Sequence, residues 1–291
     1  MKTSLYFVLA LVCTAAAVDA AQHDRKAFDE WKQKLVRERK EEWLPLAGLF
    51  WLKPGDNSFG TDPRSAVVFP KGPTKAGIFV LGGKTVTLKL EPGVHAIIAG
   101  KQITSAQLES GDHPTTVEMG SLRFKAIVRG ERVGIRLKDV DSEAARNYAG
   151  PVFFPWSSQY RITAKWIASD GKRTVDVPNV LGDVIATPIA GTAVFPWSGQ
   201  ELRLTAIIDD DPKELFFIFN DLTSKHQTYP GGRFLKAASP TGDSVVLDFN
   251  RAYSPPCSVT AYATCPLAPK DNRLPVAIEA GEKYDRAAGH H

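Results

Sequence analysis

The chain has no sustained run of one charge. Its 36 Lys and Arg stand against 32 Asp and Glu, a net charge of +4 spread over 291 residues. Nucleic acid is therefore not an expected partner, because phosphate binding needs a concentrated basic stripe. Long hydrophobic runs are missing too. The longest, Leu5 to Val18, has about 14 residues against the roughly 20 that span a bilayer, so no membrane span is expected. Neither a Gly-x-Ser-x-Gly elbow nor a His-Glu-x-x-His helix occurs, which removes two local signatures of hydrolases. The 23 glycines and 20 prolines follow no fixed period, so the chain is not collagen-like and is rich in turns. What is there is ordinary globular text. Hydrophobic residues make up 43% and charged residues 23%, which excludes a disordered chain. The length predicts one large or two modest domains.

Residues 1–20 read as a secretory signal. Lys2 supplies the positive start, Leu5 to Val18 the apolar stretch, and Val18-Asp19-Ala20 the residues a signal peptidase reads. Cleavage after Ala20 implies a secreted or periplasmic protein. A lipid anchor on Cys13 is disfavoured by Val12 before it and by the short apolar lead. Cleavage leaves Cys257 and Cys265, and two cysteines in an exported protein are most simply a disulfide. A nucleophilic thiol and a metal ligand are the other readings. The metal reading needs two further ligands, and His226 is the only histidine in the hundred residues before the pair. No metal and no cofactor are expected.

Residues 21–45 hold the one convincing helix, with Phe28, Trp31 and Leu35 on one face and mixed charges on the other. Pro45 ends it. From Leu46 the period is two. Val86, Leu88 and Leu90 alternate with polar residues, as do Val133, Ile135 and Leu137, then Tyr160, Ile162, Ala164 and Trp166. Leu202, Leu204, Ala206 and Ile208 follow, and Val276 with Ile278 predicts a closing strand. Turn signals such as Gly82-Gly83 and Asp170-Gly171 separate these runs. Strand after strand without helices predicts an all-β fold: two antiparallel β-sandwich or barrel-like domains preceded by one amphipathic N-terminal helix. The polar stretch Asp139 to Arg146 and the prolines after it separate a first domain at 46–140 from a second at 150–285. The aromatic stretch Phe153-Phe154-Pro155-Trp156 is a candidate seal between them.

The second half carries text specific enough for a resemblance. Leu247-Asp248-Phe249-Asn250-Arg251-Ala252-Tyr253-Ser254-Pro255-Pro256-Cys257, then Tyr262-Ala263-Thr264-Cys265-Pro266-Leu267, resembles the bacterial family known as domain of unknown function 1684. Asn272-Arg273-Leu274, Ala280-Gly281-Glu282-Lys283, Thr228-Tyr229-Pro230-Gly231-Gly232-Arg233-Phe234 and the upstream Trp43 to Leu52 are similar to it as well. Lys225 stands where such proteins usually show glycine, which predicts an altered turn after Asp221-Leu222-Thr223. The family name implies no activity. The first domain is loosely similar to forkhead-associated sandwiches, in the order of Asn57-Ser58-Phe59-Gly60, Val94-His95 and Ser121-Leu122-Arg123-Phe124. Those domains hold phosphothreonine with an arginine after the glycine; here Thr61 stands there, so the likeness extends to fold and not to phosphopeptide binding.

Candidate chemistry gathers in the second domain. Asp221, Thr223, His226, Tyr229, Arg233, Asp248, Asn250 and Tyr253 crowd polar side chains into one region beside Cys257 and Cys265. Period-two geometry puts Asp248 and Asn250 on one face with Val246, opposite Leu247 and Phe249. The expected partner of that face is Arg233, whose planar fork suits a carboxylate and whose Gly231-Gly232 lead admits a close approach. Such a cluster is either a ligand pocket or a pair that braces a turn. Asp209-Asp210-Asp211-Pro212 lacks the spaced oxygens of a calcium loop and reads as a solvated turn. The sequence thus favours an exported envelope protein of unknown activity that binds a small ligand or an envelope protein without catalysis. The alternative is a hydrolase-like enzyme using Asp221, Asp248 or His226 as acid or base and Arg233 to hold an anion.

Overall fold

The period-two runs become strands, and the helical stripe becomes a helix. In the computed structural model, residues 22–208 and 213–284 are described. The expected signal segment and the turn expected at Asp209 to Pro212 lie outside them. No helix among the described residues is long and apolar enough to cross a membrane. The chain divides into two compact units. The smaller holds Arg39–Tyr148 and Thr260–Ala263; the larger holds residues up to Glu38, Ala149–Val259 and the chain from Thr264 onward.

The smaller unit contains strands β1 (Leu46–Trp51), β2 (Gly55–Gly60), β3 (Val67–Val68), β4 (Gly77–Gly82), β5 (Thr85–Leu90), β6 (Ala96–Ile98), β7 (Lys101–Ile103), β8 (Ser105–Leu108), β9 (Val117–Met119), β10 (Leu122–Arg129) and β11 (Arg132–Asp139). They form two sheets, ordered β1-β11-β10-β9-β6-β7 and β3-β2-β4-β5-β8. All pairings are antiparallel except the short β2–β3 contact. Both sheets turn apolar faces into one core, including Val86 and Leu88 from one and Ile135 and Leu137 from the other. That is a sandwich. At its centre Phe59, Phe69, Phe79 and Phe124 pack ring on ring, Phe59 and Phe79 stacked with centroids 4.3 Å apart. A short helix at Glu143–Asn147, capped by Ser142, ends the unit.

The larger unit begins with helix α1, residues 22–38. Phe28 and Leu35 are buried as its spacing requires. Phe28 and Trp31 set their rings on Phe153 at 5.5 and 5.8 Å, and Trp31 meets Tyr253 at 6.1 Å. Phe153, read from sequence as part of a seal between domains, thus packs under the helix of its own unit. The strands are β12 (Arg161–Ala168), β13 (Thr174–Pro178), β14 (Val184–Trp197), β15 (Gln200–Ile207), β16 (Glu214–Phe219), β17 (Arg233–Ala238) and β18 (Ser244–Asp248). Their order is β17-β16-β15-β14-β12-β18, with β13 added to the first half of the long β14. Just beyond β18, Tyr253 exchanges two main-chain hydrogen bonds with Phe234 of β17, at 2.8 and 2.9 Å. The sheet therefore curls almost into a barrel.

After Asp248 the described chain forms no further strand, only short 3-10 turns and single bridges. The closing strand expected at Val276 and Ile278 is corrected here. Both residues are buried, but their alternation records burial alone, because side chains supply much of the hydrogen bonding that a strand partner would give. Asn272 shows how. Strands β15 and β16 are paired at Ile207 and Phe216. Two residues further along each strand lie Thr205 and Ile218, and the Asn272 amide bridges them. It accepts from Thr205 N at 2.8 Å and donates to Thr205 O at 2.8 Å and Ile218 O at 2.9 Å. Backbone polar groups that leave a ladder inside a core need such partners.

Candidate functional site

Strand register decides which carboxylate meets Arg233. Phe219 of β16 lies opposite Arg233 at the start of β17, so Asp221, two residues past the end of β16, falls within reach. Gly232 makes the approach possible. Its φ is +105°, and a Cβ there would sit 2.9 Å from Ala268 Cβ and 3.1 Å from Phe219 O. The Arg233 guanidinium lies over the Phe219 ring at 4.9 Å. Nη2 donates to Asp221 Oδ2 at 2.9 Å and to Ile278 O at 3.1 Å, while Nη1 donates to Ala280 O. Both side chains of the pair are fully buried, at 0% exposure. Burial pushes the Arg233 pKa down, and the nearby Asp221 and Glu282 carboxylates oppose it.

Asp221 is saturated. Its Oδ1 accepts from Thr223 N, Thr223 Oγ1 and Ser224 Oγ; its Oδ2 accepts from Arg233 and from Ile278 N at 2.7 Å. Ser224 Oγ in turn accepts from Asp221 N, closing a capping box on the turn Leu222–Lys225. Thr223 Oγ1 also meets Thr228 Oγ1 at 2.9 Å. The structure therefore unites Asp221, Thr223 and Arg233 of the expected cluster, and it unites them as a brace. A carboxylate with no exposure and five donors has no lone pair to offer a substrate.

The expected pairing of Arg233 with Asp248 is wrong. Asp248 lies beside Arg251 at 3.4 Å and caps the turn Phe249–Arg251 through Asn250 N. That turn also ends the alternation, and Asn250 is buried, with its Nδ2 donating to Asp248 Oδ1 at 2.9 Å. Its amide accepts from Ser157 N at 3.1 Å and donates to Ser157 O at 2.9 Å, again in the manner of a strand neighbour. His226 is exposed at the end of its turn. Tyr253 sits between Trp31 and Phe234. These residues do not converge on a pocket with Arg233.

Cys257 and Cys265, the expected disulfide pair, are both thiols in this structure. Cys265 is buried, and its Sγ accepts from Cys257 N at 3.2 Å. Tyr229 Oη donates to Cys257 Sγ at 3.4 Å. A hydrogen bond with Cys265 pulls the Cys257 pKa down; burial resists this and the Tyr229 hydroxyl adds to it. Burial pushes the Tyr229 pKa up, reinforced by its bond to Cys257. Among the described residues, no group of three or more His, Cys, Asp or Glu could hold a metal.

An open cleft of about 520 Å³ lies elsewhere in the same unit, between β13 and the segment 268–273. The main chain of β13 shows why it is open. Ile189 N donates to Arg173 O and Asn179 N to Asp183 O, so the odd-numbered residues face β14. Pro178 O faces away and accepts from Leu267 N at 2.7 Å. Thr174 and Asp176 share the parity of Pro178, and their main-chain groups point into the cleft. Val175 and Val184 supply apolar lining, and Asp176, Lys270, Asp271 and Arg273 supply charge. Sequence reasoning missed this edge. The signal was Thr174-Val175-Asp176-Val177-Pro178, an alternating run ending in proline, which is the mark of an edge strand.

Residues 146–283 match the family described as "Protein of unknown function (DUF1684)". The chain resembles that family. The match covers the brace, the thiol pair and the β13 cleft, but not the Trp43 to Leu52 stretch. An uncharacterized protein of Haloarcula marismortui, solved by NMR in solution, is 31% identical to this chain. The alignment covers 50% of this chain and 81% of that one, with a TM-score of 0.42. No curated protein matches. The DUF1684 resemblance supplies no activity.

Proposed function

We propose that this is an exported envelope protein that binds without catalysis, and that its DUF1684 region takes an extended peptide segment of a partner along the open edge of β13. The observation that carries this reading is the pair of residues Thr174 and Asp176, whose main-chain donors and acceptors face a cleft. An unpaired edge beside a groove is suited to strand addition, in which main-chain bonds give affinity and alternate side chains give selectivity. Lys270 and Arg273 suit an acidic side chain of the peptide, and Asp176 a basic one two residues away. The hydrolase reading loses support because Asp221 is saturated and His226 stands apart from Arg233.

The test uses an acetylated Val-Glu-Val-Lys-Val peptide titrated into the isotope-labelled protein. Saturable shifts at the amides of Thr174 and Asp176 are expected. Asp176→Pro removes the cleft-facing N–H together with the carboxylate and leaves the bonds to β14, so it should abolish binding while the fold is kept, whereas Asp176→Asn, which keeps the N–H, should only weaken it. Shifts that survive this substitution, or no saturable shift at all, would sink the proposal.

A further inference from the structure

The thiol pair is built rather than incidental. Cys257 lies in the 3-10 turn Pro256–Ser258, and Pro255 with Pro256 stiffens its entry. Its amide N–H donates to the sulfur of Cys265 at 3.2 Å, which holds the two cysteines side by side. Tyr229 reaches Cys257 Sγ because its ring lies against Gly231, where a Cβ would come within 2.6 Å of Tyr229 Cε1. Tyr284 fixes the other side of that ring, edge on, at 5.0 Å. The two sulfurs differ in access: Cys265 is buried at 5% exposure, and Cys257 is partly open.

We propose that Cys257 and Cys265 form a thiol–disulfide exchange site whose substrate is a low-molecular-weight disulfide, with Cys257 as the attacking thiol and Cys265 as the resolving thiol. Cys257 gives its proton to solvent, and its thiolate attacks one sulfur of the small disulfide. That S–S bond breaks and one small thiol leaves. Cys265 then attacks Cys257 Sγ in the mixed disulfide. An intrachain S–S bond forms, and the second small thiol leaves with the Cys265 proton. The small disulfide is reduced to two thiols as the two cysteines are oxidised. The hydrogen bond with Cys265 favours the thiolate of Cys257 most, and the hydroxyl of Tyr229, which donates to Cys257 Sγ, adds to it.

The probe is glutathione disulfide, and Cys13→Ser is carried throughout so that only this pair is read. The folded wild-type pair should become two hydrogens lighter by mass spectrometry. Rapid acid quenching and peptide mapping should find the transient glutathionyl group on Cys257. In Cys265→Ser the mixed disulfide should accumulate on Cys257, and Cys257→Ser should react severalfold more slowly. Tyr229→Phe should move the pH profile of Cys257 alkylation upward, with Tyr284 and Cys265 the other titratable groups beside it. A glutathionyl group found first on Cys265 would overturn the assignment. So would a folded wild-type pair that keeps both thiols in excess glutathione disulfide while the urea-unfolded chain oxidises.

Discussion

The two units bury different chemistry. The smaller unit centres on four phenylalanine rings between two hydrogen-bonded sheets, and among the described residues its buried polar side chains are only Arg39, Asn57, Asp62 and Thr260. The larger unit buries an arginine, two acids and two asparagines: Arg233, Asp221, Glu282, Asn250 and Asn272. The difference follows the backbone. Where strands pair, main-chain groups satisfy one another and the interior can be apolar. Where the chain runs without strands, from Phe249 to Tyr284, side chains must take up its amides and carbonyls. Asp221 accepts Ile278 N, Arg233 donates to Ala280 O and Ile278 O, and Glu282 accepts Ser254 N at 2.7 Å. The polar text that makes this region resemble DUF1684 is, in large part, the hydrogen bonding of an irregular segment.

The strongest way to break this comparison is to remove one residue from each interior. Arg233→Ala leaves the Asp221 charge buried and two carbonyls without a donor, and should cost about 3–5 kcal/mol. Phe79→Ala leaves a cavity and should cost a similar ~3–5 kcal/mol. The partner experiment separates them. Replacing Arg233 and Asp221 together by Met and Leu would rescue a bare ion pair. Here Ile278 N and Ala280 O still lose their partners, so urea denaturation should show the double variant well short of wild type. Full recovery would mean that the brace is only an ion pair.

Asn272 gives a smaller and cleaner contrast. Asn272→Ala strands Thr205 N, Thr205 O and Ile218 O, and about 2–3 kcal/mol of stability should go with them. Asn272→Asp can still accept from Thr205 N but cannot donate to either carbonyl, so it should recover little of that loss. Hydrogen exchange should report the weakening at Thr205, in the larger unit, with the smaller unit unchanged. Exchange that accelerates equally in both units would break the distinction drawn here.

Much of this architecture was legible in the sequence, and the losses have physical causes. Phe28, Trp31 and Leu35 marked the helix, and the alternations at Val86 and at Val133 marked β5 and β11, because amphipathic period is a local property. The partner of Arg233 was not local. Choosing Asp221 over Asp248 required the β16–β17 register and the 3-10 turn that occupies Asp248. Val276 and Ile278 looked like a strand because burial alternates there too. The amide of Asn272, standing in for a ladder bond between distant strands, leaves no periodic trace. The cleft beside β13 depends on which way the main chain of Asp176 faces, and composition does not report that.

The smallest expected effect sharpens the comparison from the side of the smaller unit, where Asp62 is paired with an arginine that stands in solvent. Arg64 donates to Asp62 through Nε at 3.0 Å, Nη2 at 2.8 Å and its own backbone N–H at 3.0 Å. Those side-chain bonds, then the backbone bond, hold the Asp62 pKa down at about 2. The unfolded carboxyl titrates at its ordinary value near ~4. A pKa lowered by folding means stability that is present above the unfolded value and is lost as pH falls toward the folded one. Between about pH 4 and about pH 2, the smaller unit should therefore lose this contribution. Asp62→Asn removes the carboxylate, so its urea midpoint should lie slightly below wild type at pH 6, and the gap should close as pH falls to 2. The effect is small because Arg64 stands in solvent, where water and salt screen the pair. A gap that stays constant across that window would show that Asp62 acts through its turn geometry and not through its charge.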